Sequence, residues 1–160
     1  LGEAGYAVYV TGRTTQEGTA ALPGTIGATA AAIDRLGGRG VAVAVDHRKD
    51  DEVKALFDRI GRDEGRLDIL VNNAAIIDDA LIQPGGFWER PLSLVDILDV
   101  GLRSGYVASF HAAPLMIRTG GGVIAFFLRL RLLHAWPGLW RAEGRRRQIR
   151  RRHGRRPARA

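Results

Sequence analysis

Short apolar runs alternate with amphipathic segments over the first 127 residues of the chain. The apolar runs are YAVYV at 6–10, VAVAV at 41–45, LDILV at 67–71 and VIAFF at 123–127. Each run is short and rich in β-forming residues, so each predicts a buried strand. The predicted helices lie at 25–36, from Asp50 onward with Val53, Leu56, Phe57 and Ile60 on one face, and at about 92–117 with interruptions at Gly101 and Gly105. Apolar strands that alternate with helices are typical of a doubly wound α/β fold, in which helices cover both sides of a parallel sheet.

The composition is that of a globular domain. The chain has 160 residues, 46% of them hydrophobic, and it contains no cysteine. Disulfides and thiolate metal sites are therefore excluded, and the four histidines lack zinc-like spacing, so no metal is expected. No signal peptide is recognisable and no apolar run approaches the roughly 18 residues of a spanning helix, which predicts a soluble, cytoplasmic protein. The opening LGEAG is typical of the end of a helix, so we expect the chain to start inside its fold.

Positive charge is concentrated in the last part of the chain. The formal net charge is +7, yet residues 1–128 carry 12 lysines and arginines against 16 acidic residues. Residues 129–160 carry 12 arginines against a single acidic residue, Glu143. No helical or strand period is recognisable from residue 128 onward. The sequence thus predicts a folded α/β domain at 1–127 and an aberrant arginine-rich tail at 128–160 that is disordered or out of frame.

Polar and small residues follow three of the predicted strands, where a doubly wound fold binds its ligand. They are Thr11-Gly12-Arg13, Asp46-His47 and Asn72-Asn73-Ala74-Ala75. Arg13 is placed to meet the 2′-phosphate of NADP, or it is a solvated arginine in a turn. Asp46 is placed to accept a hydrogen bond from an adenine amine, or it caps the following helix. The Asn-Asn-Ala-Ala turn lets a ligand approach the backbone, or it only ends a strand.

The motif LVNNAA at 70–75, with VYVTGR before it and GRLDIL leading into it, resembles the LVNNAG region of the short-chain dehydrogenase/reductase family. FWERP at 87–91 and VGLRSGY at 100–106 further resemble one subgroup of that family. The resemblance covers about residues 1–127. It implies a Rossmann fold, NADP or NAD as hydride carrier, a small carbonyl or alcohol substrate and a homo-oligomer, with no membrane partner.

The resemblance also implies roles for individual residues. By position, Arg13 would meet the adenosine 2′-phosphate, Asp46 and His47 would flank the adenine, and Asn73, Ala74 and Ala75 would line the ribose. Gly101 stands where most members of the family have a catalytic asparagine. The family's sheet order is 3-2-1-4-5-6-7, and only its second to fifth strands are matched here. Strands two and four therefore lack their common partner, and we expect the isolated chain to be poorly stable.

The residues that carry the family's catalysis are not found. The TGxxxGIG turn that holds the pyrophosphate would lie upstream of Leu1. The catalytic serine and the Tyr-x-x-x-Lys pair are missing, because no tyrosine follows Tyr106 and no lysine follows Lys54. We therefore assign no catalytic residue and expect an inactive fragment of an oxidoreductase. A nucleotide-binding module without catalysis is the alternative.

The arginine-rich tail begins where the family's serine is expected. With permitted codons from Leu128 onward, a reading shifted by one nucleotide gives a serine, then Y-G-A-Q-K, then an amphipathic helix. That string resembles the missing family segment, so we hypothesise a frameshift near Phe127 or Leu128. The competing hypothesis is a nucleic-acid-binding arm, in which arginines neutralise phosphates while Trp136 and Trp140 stack on bases. Apart from such non-specific binding by the tail, no nucleic-acid partner is expected.

Overall fold

The structure is a computed structural model that describes residues 1–19, 23–76 and 78–127. The predictions for residues 128–160 lie outside the described residues. The main elements are β1 (Ala7–Gly12), α1 (Ile26–Arg35), β2 (Arg39–Ala44), α2 (Asp50–Asp63), β3 (Ile69–Asn72), α3 (Asp96–Leu98), α4 (Ser104–Arg118) and β4 (Val123–Phe126). Short 3₁₀ turns lie at Gly2–Ala4, Asp79–Ile82, Phe87–Glu89 and Leu92–Val95. All four predicted strands are present, so the α/β prediction is confirmed.

The four strands form two separate parallel pairs. β1 pairs with β2, Ala7 opposite Arg39, and β3 pairs with β4, Ile69 opposite Val123. Arg39, which begins β2, makes an ion pair of 2.5 Å with Glu64, which lies just ahead of β3. The starts of β2 and β3 therefore lie close together. The sheet is Rossmann-like but incomplete, as the resemblance implied.

The core lies between α2 and α4. The predicted apolar face of α2 is confirmed, because Val53, Leu56, Phe57 and Ile60 are all buried. The buried face of α4 that packs against it consists of Ala108, Ala112, Leu115 and Met116. Burying an aliphatic or aromatic side chain stabilises a fold by about 1.5–3 kcal/mol. This helix pair, which also covers Val45 after β2, is the best-packed part of the described chain.

The strands are less buried than their sequences predict. The continuous apolar runs predicted strands covered on both faces, but no residue of β1, β2, β3 or β4 is fully buried. Val71 is 42% exposed and Ile124 is 38% exposed. The reason is that, in the part of the chain that the structure describes, β1 and β3 each have a bonded strand on one side only, and a cavity separates them. The apolar side chains therefore keep contact with solvent that a continuous sheet would exclude.

The predicted helix at 92–117 is divided into pieces. After α3 the chain makes a π-helical turn at Asp99–Arg103 and then continues directly as α4. Gly101 lies in the π-helical turn, but the predicted interruption at Gly105 was wrong, since Gly105 is inside α4. A Cβ on Gly105 would lie 2.6 Å from Cε1 of Phe126, so glycine is needed there for α4 to approach β4. None of the helices within residues 1–19, 23–76 and 78–127 has the length and hydropathy of a membrane span.

Candidate functional site

A cavity of about 680 Å³ runs along the space between β1 and β3, and residues at the carboxyl ends of three strands line one end of it. Thr11 comes from the end of β1, His47 from the loop after β2, and Asn73 and Ala74 from the turn after β3. Gly101 of the π-helical turn also lines it, with open space where a Cβ would lie. Ligands of open α/β folds bind beyond the carboxyl ends of parallel strands. The cavity's position therefore makes this end of the fold the candidate site.

His47 is fixed by a residue of the neighbouring strand. Its Nε2 lies 3.0 Å from Oγ1 of Thr11, which joins the loop after β2 to the end of β1. Burial lowers the pKa of His47, because an imidazolium ion loses hydration there. The imidazole is therefore neutral at physiological pH and presents a flat, uncharged ring to the cavity. Sequence reasoning included Thr11 among the residues after strands but gave it no role.

The burial of His47 predicts a pH-dependent free energy of unfolding. The unfolded chain binds a proton at His47 near the ordinary histidine pKa of 6.5, whereas the native chain resists protonation down to a lower pH. The free energy of unfolding should thus rise with pH between the lowered native pKa and 6.5, and should be insensitive to His47 above it. The slope is at most about 1.4 kcal/mol per pH unit for one proton. Urea unfolding at pH values from 5 to about 7.5 measures it.

His111, the other histidine among the described residues, provides the control for this dependence of the unfolding free energy on pH. His47→Gln should flatten the rise below pH 6.5, because glutamine keeps a hydrogen-bonding side chain but does not titrate. His111→Gln, at a position where the ring stacks on Phe57 with 6.3 Å between centroids, should keep the His47 contribution. An unchanged slope in His47→Gln would contradict the assignment.

Asp46 is held by Arg48 rather than by the helix that follows. Its Oδ1 accepts from the Arg48 backbone N–H at 3.1 Å, and its Oδ2 accepts from the Arg48 guanidinium at 2.7 Å. These contacts lower the pKa of Asp46 to about 2, and Arg13 contributes further. The interpretation of Asp46 as a helix cap was wrong, since α2 begins after Lys49 without a side-chain cap. The role of Arg48 was not predicted from the sequence, although an Asp side chain in a turn commonly accepts from the backbone N–H two residues on.

Arg13 lies exposed just beyond the end of β1. No carboxylate among the described residues makes an ion pair with it. Its positive charge nevertheless acts on Asp46, so the two side chains share one side of the site. An exposed guanidinium beside an ion-paired carboxylate can bind an anion from solution.

The residues at the end of β3 and in the turn after it have two roles: one anchors the strand to α4, and others line the cavity. Nδ2 of Asn72 donates to Oγ of Ser109 at 3.2 Å, and that hydroxyl donates to the Gly105 carbonyl at 2.7 Å. Asn72 therefore anchors β3 to α4. Asn73 is exposed and Ala74 half-buried on the cavity wall, whereas Ala75 is exposed at the next position.

The described residues fit the adenosine end of a dinucleotide better than its diphosphate. Arg13 supplies a cation, and the small residues after β3 allow close approach. The N-terminus of α2 lies after the carboxyl end of β2, but its first turn carries Asp50, Asp51 and Glu52. These acids stabilise the helix dipole and oppose a phosphate at that position.

Comparison with known families gives a consistent result. A family model described as Enoyl-(Acyl carrier protein) reductase matches residues 3–134. The chain is 42% identical over 128 residues to Dehydrogenase/reductase SDR family member 1 of Mus musculus and 38% identical to the Homo sapiens protein of that name. These alignments cover 78% of this chain and 38% of each relative. The chain thus spans about two fifths of the length of these curated relatives.

Solved structures show the same likeness. A short-chain dehydrogenase from Mycobacterium thermoresistibile superposes with a TM-score of 0.68 and 28% identity, covering 81% of this chain and 46% of that one. A metagenomic short-chain oxidoreductase in complex with NADP has a TM-score of 0.64 and 26% identity, covering 77% of this chain and 51% of that one. The partial Rossmann fold is therefore that of known oxidoreductases.

Proposed function

Since this chain belongs to the short-chain dehydrogenase/reductase family, we propose that residues 1–127 form the adenosine half of an NADP site. The activity that the family implies for the whole protein is hydride transfer between a nicotinamide cofactor and a small carbonyl or alcohol substrate. The observation that carries the proposal is Arg13, which lies near Asp46 just beyond the end of β1 and has no ion-pair partner among the described residues. The similar metagenomic oxidoreductase bound to NADP supports it.

Electrostatics favour NADP over NAD at this site. An acidic residue free to meet the ribose 2′-hydroxyl would favour NAD, whereas a cation favours the additional 2′-phosphate. Asp46 is ionised, but the Arg48 guanidinium balances its charge. Arg13, Asp46 and Arg48 together therefore carry a net positive charge, which attracts a phosphate.

The remaining residues suit the rest of the adenosine. The neutral ring of His47 offers a flat surface for the adenine, and Asp46 keeps lone pairs for the adenine amine. Asn73, Ala74 and Ala75 supply amide groups and little side-chain bulk beside the ribose. These roles agree with the positions of the six residues after β1, β2 and β3.

We expect the 160-residue chain to show no turnover of NADPH. The sequence contains three tyrosines, Tyr6, Tyr9 and Tyr106. Lys54 makes an ion pair of 2.6 Å with Asp58. A tyrosine that donates a proton beside a lysine is thus missing. NADPH absorbance should stay constant with an aliphatic ketone, an aromatic aldehyde or a 1,2-diketone. A rate that is proportional to protein concentration and saturates with substrate would contradict this expectation.

We propose that residues 128–160 are the product of a shifted reading frame. The support is that permitted codons for residues 128 onward, read one nucleotide later, give a family-like segment with a serine and Y-G-A-Q-K. Sequencing the gene across the codons of Phe127 and Leu128 is expected to reveal an inserted or deleted nucleotide relative to the frame of Y-G-A-Q-K. If the shifted frame lacks that motif, the arginine-rich segment is a selected feature, and binding of nucleic acid becomes the leading explanation.

We also propose that the protein forms a homo-oligomer. Leu102, Tyr106 and Phe110 are large, exposed apolar residues spaced four apart along the π-helical turn and α4. Side chains at that spacing share one helical face. An exposed apolar stripe of this kind supports contact between two copies of the chain.

A further inference from the structure

An ion pair ties the start of α2 to the π-helical turn at Asp99–Arg103. Nη1 of Arg103 lies 2.8 Å from Oδ1 of Asp50, and Nη2 of Arg103 lies 2.5 Å from Oδ2 of Asp50. Asp50 is the first residue of α2, and Arg103 is the last residue of the π-helical turn. A guanidinium that donates to both oxygens of a carboxylate fixes the direction of the contact as well as its length. The pair therefore holds together two segments that lie 53 residues apart in the sequence.

The loop between β2 and α2 approaches the helical segment at a second point. The hydrogen-bonded carboxylate of Asp46 raises the pKa of the Arg48 guanidinium, and the charge of Asp96 on α3 raises it further. Arg48 and Asp96 line a small pocket of about 350 Å³ together with both members of the ion pair. Asp46 and His47 of the proposed nucleotide site directly precede Arg48 in the chain. The loop that carries these residues thus also faces α3 and the π-helical turn.

The π-helical turn has a hydrogen-bond pattern that differs from that of an α-helix by one residue. The backbone N–H of Ser104 donates to the carbonyl of Asp99, whereas in an α-helix it would donate to the carbonyl of Val100. The buried hydroxyl of Ser104 donates to that Val100 carbonyl instead. A change to the α-helical pattern would return the backbone N–H to Val100 and turn Arg103 by about 100° around the helix axis. Arg103 would then point away from Asp50.

The π-helical turn also contributes a residue to the candidate site. Gly101 lies in the middle of the turn and lines the same cavity as His47 and Asn73. A Cβ at Gly101 would meet open space, so the backbone of the turn is accessible to a ligand there. The Arg103–Asp50 ion pair consequently links the loop that carries His47 to the turn that carries Gly101.

On the basis of the nucleotide site proposed above, we propose that the Arg103–Asp50 ion pair couples occupancy of that site to the hydrogen-bond pattern of the π-helical turn. A ligand in contact with His47 restrains the loop after β2 and therefore the position of Asp50. Asp50 then holds Arg103 where the π-helical pattern places it, which fixes the backbone of Gly101. The side chains of Arg103 and Asp50 are 50% and 49% exposed. Exposed ion pairs shift an equilibrium by about two- to fivefold, which sets the size of the coupling.

The test is a titration of the ¹⁵N-labelled 160-residue chain with adenosine 2′,5′-bisphosphate, followed by amide NMR. The unaltered chain should show a ligand-induced shift at His47 and a smaller one at Gly101. Arg103→Gln should keep the shift at His47 and reduce that at Gly101 at least about twofold, whereas Arg103→Lys should retain part of it because lysine keeps the charge. Lys54→Gln is the matched control, since it removes an exposed ion pair of α2 with Asp58 and should leave both shifts unchanged.

A second comparison needs no ligand, because coupling between two sites is reciprocal. Ser104→Ala removes the hydroxyl that donates to Val100 and so favours the α-helical pattern. The change should reach the loop after β2 as an altered amide shift at His47. In the Asp50→Asn background the same substitution should alter His47 at least about twofold less, because the ion pair no longer connects the two segments.

The two proposals fail in different ways. A ligand-induced shift at His47 with none at Gly101, or one at Gly101 that Arg103→Gln leaves intact, would overturn the coupling and leave the nucleotide proposal in place. Equal effects of Ser104→Ala in both backgrounds, or no effect at His47 in either, would do the same. The absence of any ligand-induced shift at His47 would overturn the nucleotide proposal and the coupling together.

Discussion

Replacement of Arg13 by alanine is expected to weaken binding of adenosine 2′,5′-bisphosphate about 10- to 100-fold. The expected loss corresponds to about 1.5–3 kcal/mol for a hydrogen bond to a charged group. The guanidinium lies at the end of β1 with no carboxylate partner among the described residues, so a phosphate can take all of its donors. Isothermal titration calorimetry of the full chain at fixed salt measures the change.

The arginine-rich residues 129–160 make the control ligand important. Adenosine 3′,5′-bisphosphate carries the same charge as the 2′,5′ isomer, so non-specific binding to those arginines should be equal for both. Arg13→Ala should therefore affect the 2′,5′ isomer and spare the 3′,5′ isomer. Arg35→Ala serves as the matched variant, because Arg35 lies in the last turn of α1. Equal losses in both variants, or for both isomers, would refute the assignment of Arg13.

Gly40→Ala is expected to cause the largest loss of stability, lowering the free energy of unfolding by roughly 3 kcal/mol. A Cβ on Gly40 would lie 2.6 Å from the carbonyl carbon of Ala30 and 2.7 Å from its Cα. These are backbone atoms of α1, so no side-chain rotation relieves the contact. The helix would have to move off β2. Urea unfolding followed by far-UV circular dichroism measures the effect.

Gly27→Ala is the matched variant for this prediction. The nearest atom to its added Cβ would be Oγ1 of Thr25 at 3.8 Å, an ordinary contact. Gly27 lies inside α1, where alanine restricts the unfolded chain and favours the helix. The free energy of unfolding should rise by about 0.5–1 kcal/mol. A loss in Gly27→Ala as large as in Gly40→Ala would mean that α1 does not rest on β2 as described.

The local pattern of apolar and polar residues was sufficient to predict the main helices and the strands. The face of α2 formed by Val53, Leu56, Phe57 and Ile60 was predictable, because its spacing matches the 3.6-residue period and only one face can meet the core. The strands were predictable from short apolar runs bounded by polar or glycine residues. Apart from the start of β4 at Val123, which was as predicted, each boundary shifted by one or two residues, because ladder bonding rather than hydropathy sets where a strand ends.

Features that depend on tertiary approach were not predictable. Local propensity predicts a helix break at Gly105, since glycine disfavours helices, but close packing on Phe126 requires glycine at this position inside α4. The apolar run at 67–71 did not by itself indicate the exposure of Val71. Only the resemblance did so, because it leaves the family's fourth strand without its central partner. Which strands pair depends on contacts between segments that are far apart in the sequence, and a local hydropathy pattern does not contain that information.

At the site, the sequence located the residues but not their contacts. Arg13, Asp46, His47 and the turn after β3 were identified because they follow strands whose carboxyl ends meet. The ion pair of Asp46 with Arg48 and the contact of His47 with Thr11 depend on side-chain geometry. The helix-cap interpretation of Asp46 failed for that reason.

The most direct test of the nucleotide proposal is a titration of the ¹⁵N-labelled 160-residue chain with adenosine 2′,5′-bisphosphate, followed by amide NMR. We predict saturable shifts that concentrate at Arg13, Asp46 and His47 and in the turn from Asn73 to Ala75, and smaller shifts there with the 3′,5′ isomer. Shifts confined to residues 129–160, or the same shifts with both isomers, would contradict an NADP site at the ends of β1, β2 and β3.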